Sequence, residues 1–203
     1  MAIPWSEAVK NSEQLSYHCQ SSISGPWVYA VSEAIRLFNQ QAAHFVKLVK
    51  ANDSQSANIK IKAGGGKVDY VYSGKTRQQF INGSGLKAFN KLLSIDGIMV
   101  KSIIILPSMP NILPPSIKGP SRVRPAGKNI LIFIALHELI HACGLEDTDH
   151  TSLCVFDGHP SPTGSARGPD KDVMETRTPK KRVNMPPFTI SSTTLSKIAL
   201  NWC

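Results

Sequence analysis

NILIFIALHELIHACG, residues 129–144, decides how this chain is read. The stretch is apolar almost throughout until the first histidine, which suits a helix buried on most sides rather than one lying on the surface. The pattern predicts a helix over 129–143, closed by Gly144, because glycine accepts the left-handed backbone that ends many helices. On that helix His137 and His141 stand four residues apart on one face, so both imidazoles can reach a single ion. Glu138 is turned about 100° from His137 by the helical period, which places its carboxylate beside such an ion rather than on it. This is the spacing with which a helix holds zinc. In that place the carboxylate can take a proton from a zinc-activated water and hand it to a leaving amine. Zinc lowers the pKa of the water toward about 7 and polarises a carbonyl. A glutamate between two histidines on so apolar a helix needs a partner, which counts against a helix that binds no metal.

His137-Glu138-Leu139-Ile140-His141-Ala142-Cys143-Gly144-Leu145 resembles the metzincin signature, H-E-x-x-H-x-x-G-x-x-H/D, and is most similar to its matrixin-like branch. The resemblance implies a methionine-containing turn beneath the zinc, and Asp172-Val173-Met174-Glu175 resembles that turn, with Met174 as its methionine. The motif-level likeness covers roughly residues 129–175. Over the rest of the chain only the order of elements is similar. The resemblance implies a zinc-dependent endopeptidase with Glu138 as general base and then acid. Its peptide or protein substrate would lie extended along an edge strand.

A catalytic zinc usually takes three protein ligands. The position matching the family's third ligand is Asp147, where histidine is more common. His150 follows three residues later. Imidazole is the more usual donor, so the expected metal set is His137, His141 and His150, with Asp147 as the alternative. Asp149 and His159 are further candidates. With His150 bound, Asp147 would orient a ligand imidazole from behind. His159 otherwise reads as a loop histidine, and His18 and His44 as surface residues.

Working outward, Val31, Ile35, Phe38, Ala42, Phe45 and Val49 recur at helical spacing and predict a long N-terminal helix over about 27–50. Residues 58–63 alternate apolar and polar, the period of a half-buried strand. Gly64-Gly65-Gly66 then reads as the turn of a hairpin whose second strand is 68–72. Residues 86–93 are compatible with a short helix. Residues 102–106, SIIIL, read as a buried strand. The proline-rich segment 107–128 reads as a long functional or mobile loop, carrying Lys118, Arg122, Arg124 and Lys128 without acidic partners. Residues 145–190 are loop-rich. Ser191 offers a cap for a C-terminal helix with Leu195, Ile198 and Trp202 on one stripe. Residues 1–25 are polar and weakly patterned, and read as an N-terminal arm ahead of a catalytic domain over 26–203. The expected fold class is α+β and metzincin-like: a small twisted mixed sheet, a long N-terminal helix, a central active-site helix and a C-terminal helix.

With 203 residues and 41% hydrophobic content the chain can bury one sizeable core. Its 18% charged residues argue against a disordered chain. The net charge of +9 reads first as a solubility feature, since no nucleic-acid motif accompanies it. No secretory signal is visible at the N-terminus. No stretch approaches the roughly 18 apolar residues of a membrane span. The expectation is a soluble protein, cytoplasmic by default, with its four cysteines reduced. A Cys143–Cys154 disulfide bracing the ligand loop is weighed against two separate thiols, the preferred reading. Two functions compete with the endopeptidase. One is a non-catalytic zinc-binding structural or particle-associated protein, disfavoured by the intact Glu138. The other is a zinc amidase acting on cell-wall peptide, which the motif does not separate from a protease.

Overall fold

The computed structural model describes residues 2–72, 74–112, 124–147, 149, 173–175, 182–184 and 187–202. Helix α1 (Glu7–Asn11) and strand β1 (Gln14–Cys19) come first, then helix α2 (Pro26–Ala42) and strand β2 (Lys47–Lys50). Strands β3 (Ile59–Gly64), β4 (Gly66–Tyr72), β5 (Lys75–Ile81), β6 (Phe89–Ile95) and β7 (Ile98–Pro107) follow. After the two-residue strands β8 (Asn111–Ile112) and β9 (Arg124–Pro125) comes helix α3 (Lys128–Ala142). Strands β10 (Val173–Glu175) and β11 (Arg182–Asn184) and helix α4 (Ser192–Trp202) complete the described elements. The fold is mixed α+β, with four helices around a small sheet.

That sheet has the order β2-β1-β3-β7-β6. Its first four strands are mutually parallel, and β6 runs antiparallel to β7 at the edge. One face carries the main core. Ile59 and Ile61 of β3 and Ile104 and Leu106 of β7 meet Trp27, Phe38 and neighbours from α2 and Leu131, Leu136 and Ile140 from α3. The far face of β7 and β6 is covered by the β4–β5 hairpin, where Ile103, Ile105 and Leu93 pack with Val68 and Ile81. Strand β7 is therefore buried on both faces, which is why 102–106 reads as an unbroken apolar run. Helix α3 is apolar nearly all round because it is buried nearly all round: Ile130 to Ala142 are covered except at Phe133 and His137. Among the described residues, no helix is long and apolar enough to cross a membrane.

The structure corrects four expectations. Residues 1–25 are not an arm. Trp5 is buried, and β1 lies inside the sheet between β2 and β3 with Leu15 fully covered. The strand is polar enough to hide from hydropathy, and hydrogen bonding to two neighbours holds it. The helix expected to reach 50 ends at Ala42. Residues 47–50 pair with β1 instead, and the Asn39 amide fastens the reversal: its Nδ2 donates to the Leu48 carbonyl at 2.9 Å, and its Oδ1 accepts from the Leu48 N–H at 2.8 Å. The hairpin is β4–β5, not β3–β4, since β3 already has β1 and β7 as partners. Residues 89–95, partly assigned to a short helix, form strand β6: Leu92 turns to the main core and Leu93 to the outer cluster, so two-sided burial overrides helix propensity.

Candidate metal centre

The site is assembled at the C-terminal end of α3. There the helix runs out of internal hydrogen-bond partners for its last carbonyls, and both ends of the chain supply them. Trp5 Nε1 donates to the Ala142 carbonyl at 3.0 Å. Asn201 Nδ2 and Trp202 Nε1, both from α4, donate to the Cys143 carbonyl at 2.8 and 3.3 Å. The Ile3 N–H donates to the Gly144 carbonyl at 2.8 Å. Gly144 has φ +95°, and a Cβ there would stand 2.1 Å from the Ile3 carbonyl oxygen. The chain turns sharply at this glycine and comes back over the histidines.

The first group beyond the turn is the Leu145 carbonyl, 2.7 Å from His141 Nδ1. A carbonyl only accepts, so Nδ1 donates to it and Nε2 is the nitrogen directed at the other side. That Nε2 lies 3.2 Å from His137 Nε2 and 3.3 Å from Asp147 Oδ1. Asp147 is held in a turn closed by Glu146 and Asp149: the Glu146 N–H donates to Asp149 Oδ2 at 3.0 Å, and the Asp149 N–H to the Glu146 carbonyl at 2.9 Å. Donor atoms of His137, His141 and Asp147 all fall within 4.8 Å of one another.

These donors suit a zinc-like ion. Two nitrogens held about 2.0–2.1 Å from one ion at a tetrahedral angle are about 3.3 Å apart, close to the 3.2 Å found here. Two imidazoles and one carboxylate form a mixed N/O donor set, and the Nδ1–carbonyl bond is the outer support that ligand histidines usually have. His137 and His141 would hold such an ion, with Asp147 as the third donor from the described residues. His150, the ligand preferred on sequence grounds, lies outside the described residues, as do His159 and Cys154. Met174 is placed by its backbone, in β10 opposite Val183 of β11. Its side chain also lies outside the description.

Glu138 is buried beside the pair, and burial first, then the nearby Asp147 carboxylate, push its carboxyl up to about 8. A cation between the histidines acts in the opposite sense and favours the ionised carboxylate. Cys143, next in the motif, is a free, fully buried thiol whose burial raises its pKa far above the ordinary value. Cys19 is also free and is half-buried.

A cleft of about 1040 Å³ opens over these groups. Strand β6 and helix α3 line it side by side, α3 contributing Phe133, His137, Glu138 and His141. Tyr70 and Gln79 of the β4–β5 hairpin rim it, and Leu145 to Asp147 close one end. Sequence reasoning missed Trp5, Asn90 and Asn201. Each acts on α3 from a distant part of the chain, and nothing in its local pattern marks it. No protein-family model matches the chain, and no curated protein matches its sequence.

Proposed function

We propose that the protein is a zinc-dependent endopeptidase of metzincin-like design. One observation carries the reading. A buried glutamate stands on one helical turn with two histidines whose Nε2 atoms are 3.2 Å apart, all facing a cleft walled by an edge strand. Among the described residues β6 is the last strand of the sheet and lines the cleft, the place where an extended peptide would add by backbone hydrogen bonding. The substrate chain would then lie along the outer edge of β6, beside the end of α3, with a peptide carbonyl brought over the histidines.

A bound zinc ion would supply Lewis acidity, polarising that carbonyl and lowering the pKa of a water toward about 7. The protein's own part is proton handling and orientation. Glu138 accepts the proton of the attacking water at its carboxylate and returns it to the leaving amine. Its covered setting keeps bulk water from competing for that proton. The Leu145 carbonyl holds the His141 ring in its plane and tautomer. Asp147, if bound, lowers the net charge of the site relative to three imidazoles.

The test is metal analysis of protein purified without chelators, together with digestion of a peptide library by wild type and Glu138→Ala. One zinc per chain and cleavage lost in the variant support the reading. Bound zinc without cleavage of any peptide favours a zinc-binding protein instead. Cleavage confined to cell-wall peptides favours the amidase. No zinc taken up at all removes the metal centre.

A further inference from the structure

A chain of side-chain hydrogen bonds runs from the interior of the sheet to the turn that carries Glu138. Ser102, fully buried on the helix-facing side of β7, donates its Oγ–H to Asn90 Oδ1 at 2.9 Å. Asn90, on edge strand β6, donates Nδ2 to the backbone carbonyl of Glu138 at 2.8 Å. That carbonyl belongs to a helix interior, where its ordinary partner is the N–H four residues on, so the bond from Asn90 is additional to the helical ladder. The amide orientation follows from both ends. The serine hydroxyl presents a proton to Oδ1, and the Glu138 carbonyl accepts only from Nδ2.

The composition around these residues makes the pair unusual. Ser102 heads the run 102–106, whose other members are apolar. Burying a hydroxyl there is unfavourable unless it is bonded. An alanine and a leucine at 102 and 90 would fill a β-edge facing a helix with no such requirement. The polar pair also joins two particular elements: the last strand of the sheet, which lines the cleft, and the helical turn that carries Glu138.

We infer that Asn90 is a positioning residue that sets the distance between a peptide bound along β6 and the Glu138 carboxylate, with Ser102 acting through it. The inference rests on the peptidase reading and goes beyond it. Asn90 touches neither the metal donors nor the reacting atoms. It ties the substrate-binding strand to the catalytic turn, so that a shift of one carries the other with it. Without the tie, the peptide still binds to the edge, but the scissile carbonyl and the base lose their common register. The loss falls on kcat, because misplacement of reacting groups by about 1 Å can reduce turnover by up to about a hundredfold.

The experiment uses zinc-loaded, full-length Asn90→Ala, Asn90→Asp, Ser102→Ala and the Asn90→Ala/Ser102→Ala pair, with zinc content and melting temperature measured on each. Asn90→Asp keeps an acceptor for Ser102 and the size of the side chain but has no N–H for the Glu138 carbonyl. Expected results are a fall in kcat of about tenfold or more for both Asn90 variants, with KM within about threefold, and a smaller fall for Ser102→Ala. Adding Ser102→Ala to Asn90→Ala should bring no further loss, the signature of one residue acting through another. Independently of activity, amide hydrogen exchange should quicken in β6 and around 138–142 in both Asn90 variants. Unchanged kcat in folded, zinc-loaded Asn90 variants of an active wild type overturns the inference alone, as does an additive double variant. A wild type that cleaves no peptide overturns the peptidase reading, and this inference falls with it.

Discussion

Replacing Gly144 by alanine tests the geometry that brings Asp147 back over the histidines. Two separate effects act at this position. The backbone φ of +95° is unfavourable for any residue with a Cβ, on the order of 1–2 kcal/mol. The added methyl would also lie 2.1 Å from the Ile3 carbonyl oxygen and 2.6 Å from Asn201 Nδ2, so both must move. Their movement breaks the 2.8 Å bonds from the Ile3 N–H to Gly144 and from Asn201 to Cys143. Each bond contributes about 1 kcal/mol, so the whole change should destabilise by about 3–4 kcal/mol. Gly97 is the control: its φ is +78° and nothing lies within 4 Å of its would-be Cβ, so Gly97→Ala carries the conformational effect alone. Urea unfolding of both variants should therefore separate them by about 2 kcal/mol, the two lost hydrogen bonds. In thermal melts Gly144→Ala should fall about 10 °C below wild type, at the 2–4 °C per kcal/mol usual for a chain of this size. Zinc affinity should fall with it, since the segment leading to Asp147 is displaced. Equal losses for the two glycines would refute the proposed close packing of the N-terminus on the helix end.

Three further outcomes are expected. Glu138→Gln should keep its zinc and lose about a hundredfold or more of any hydrolytic rate, the scale of positioned acid–base catalysis; near-wild-type turnover would remove Glu138 from the mechanism. In metal-competition titrations Asp147→Ala should weaken zinc binding more than about a hundredfold, beyond the 10–100-fold usual for outer supporting groups, and more than His150→Ala does. The reverse order would give the third position to His150. Cys143, fully buried, should resist alkylation in the native protein and react only on unfolding, as mapped by mass spectrometry of labelled peptides; rapid native labelling would contradict the packing at the end of α3.

Helix α3 was legible because two independent patterns coincide on it. The apolar density of 129–136 calls for a buried helix, and the 137/138/141 spacing acquires chemical meaning only on a helix. The same holds for β3, whose Ile59 and Ile61 alternate with lysines, and for α4, where Ser191 Oγ accepts from the Thr194 N–H at 3.2 Å. The expected metal partners His137 and His141 converge for this local reason: four residues of helix bring them onto one face.

Other features depend on partners far away in the chain. Strand β1 is polar and short, yet it lies within the sheet because β2 and β3 offer it hydrogen bonds on both sides. Phe45 and Val49 keep a helical spacing, but the reach of the sheet and the Asn39 amide turn 47–50 into β2. Segment 89–95 becomes the strand that lines the cleft because β7 is there to pair with it. The position of Asp147 depends on Ile3, Trp5, Asn201 and Trp202 meeting the carbonyls of Ala142, Cys143 and Gly144, contacts that span most of the chain. The sequence by itself determined the helix, its two histidines and the glutamate between them, since local periodicity suffices to specify a helix face. Tertiary structure alone decided which strand borders the cleft and that Asp147 stands beside the histidines, because backbone hydrogen bonds in sheets and at helix ends are satisfied by whatever the fold brings near.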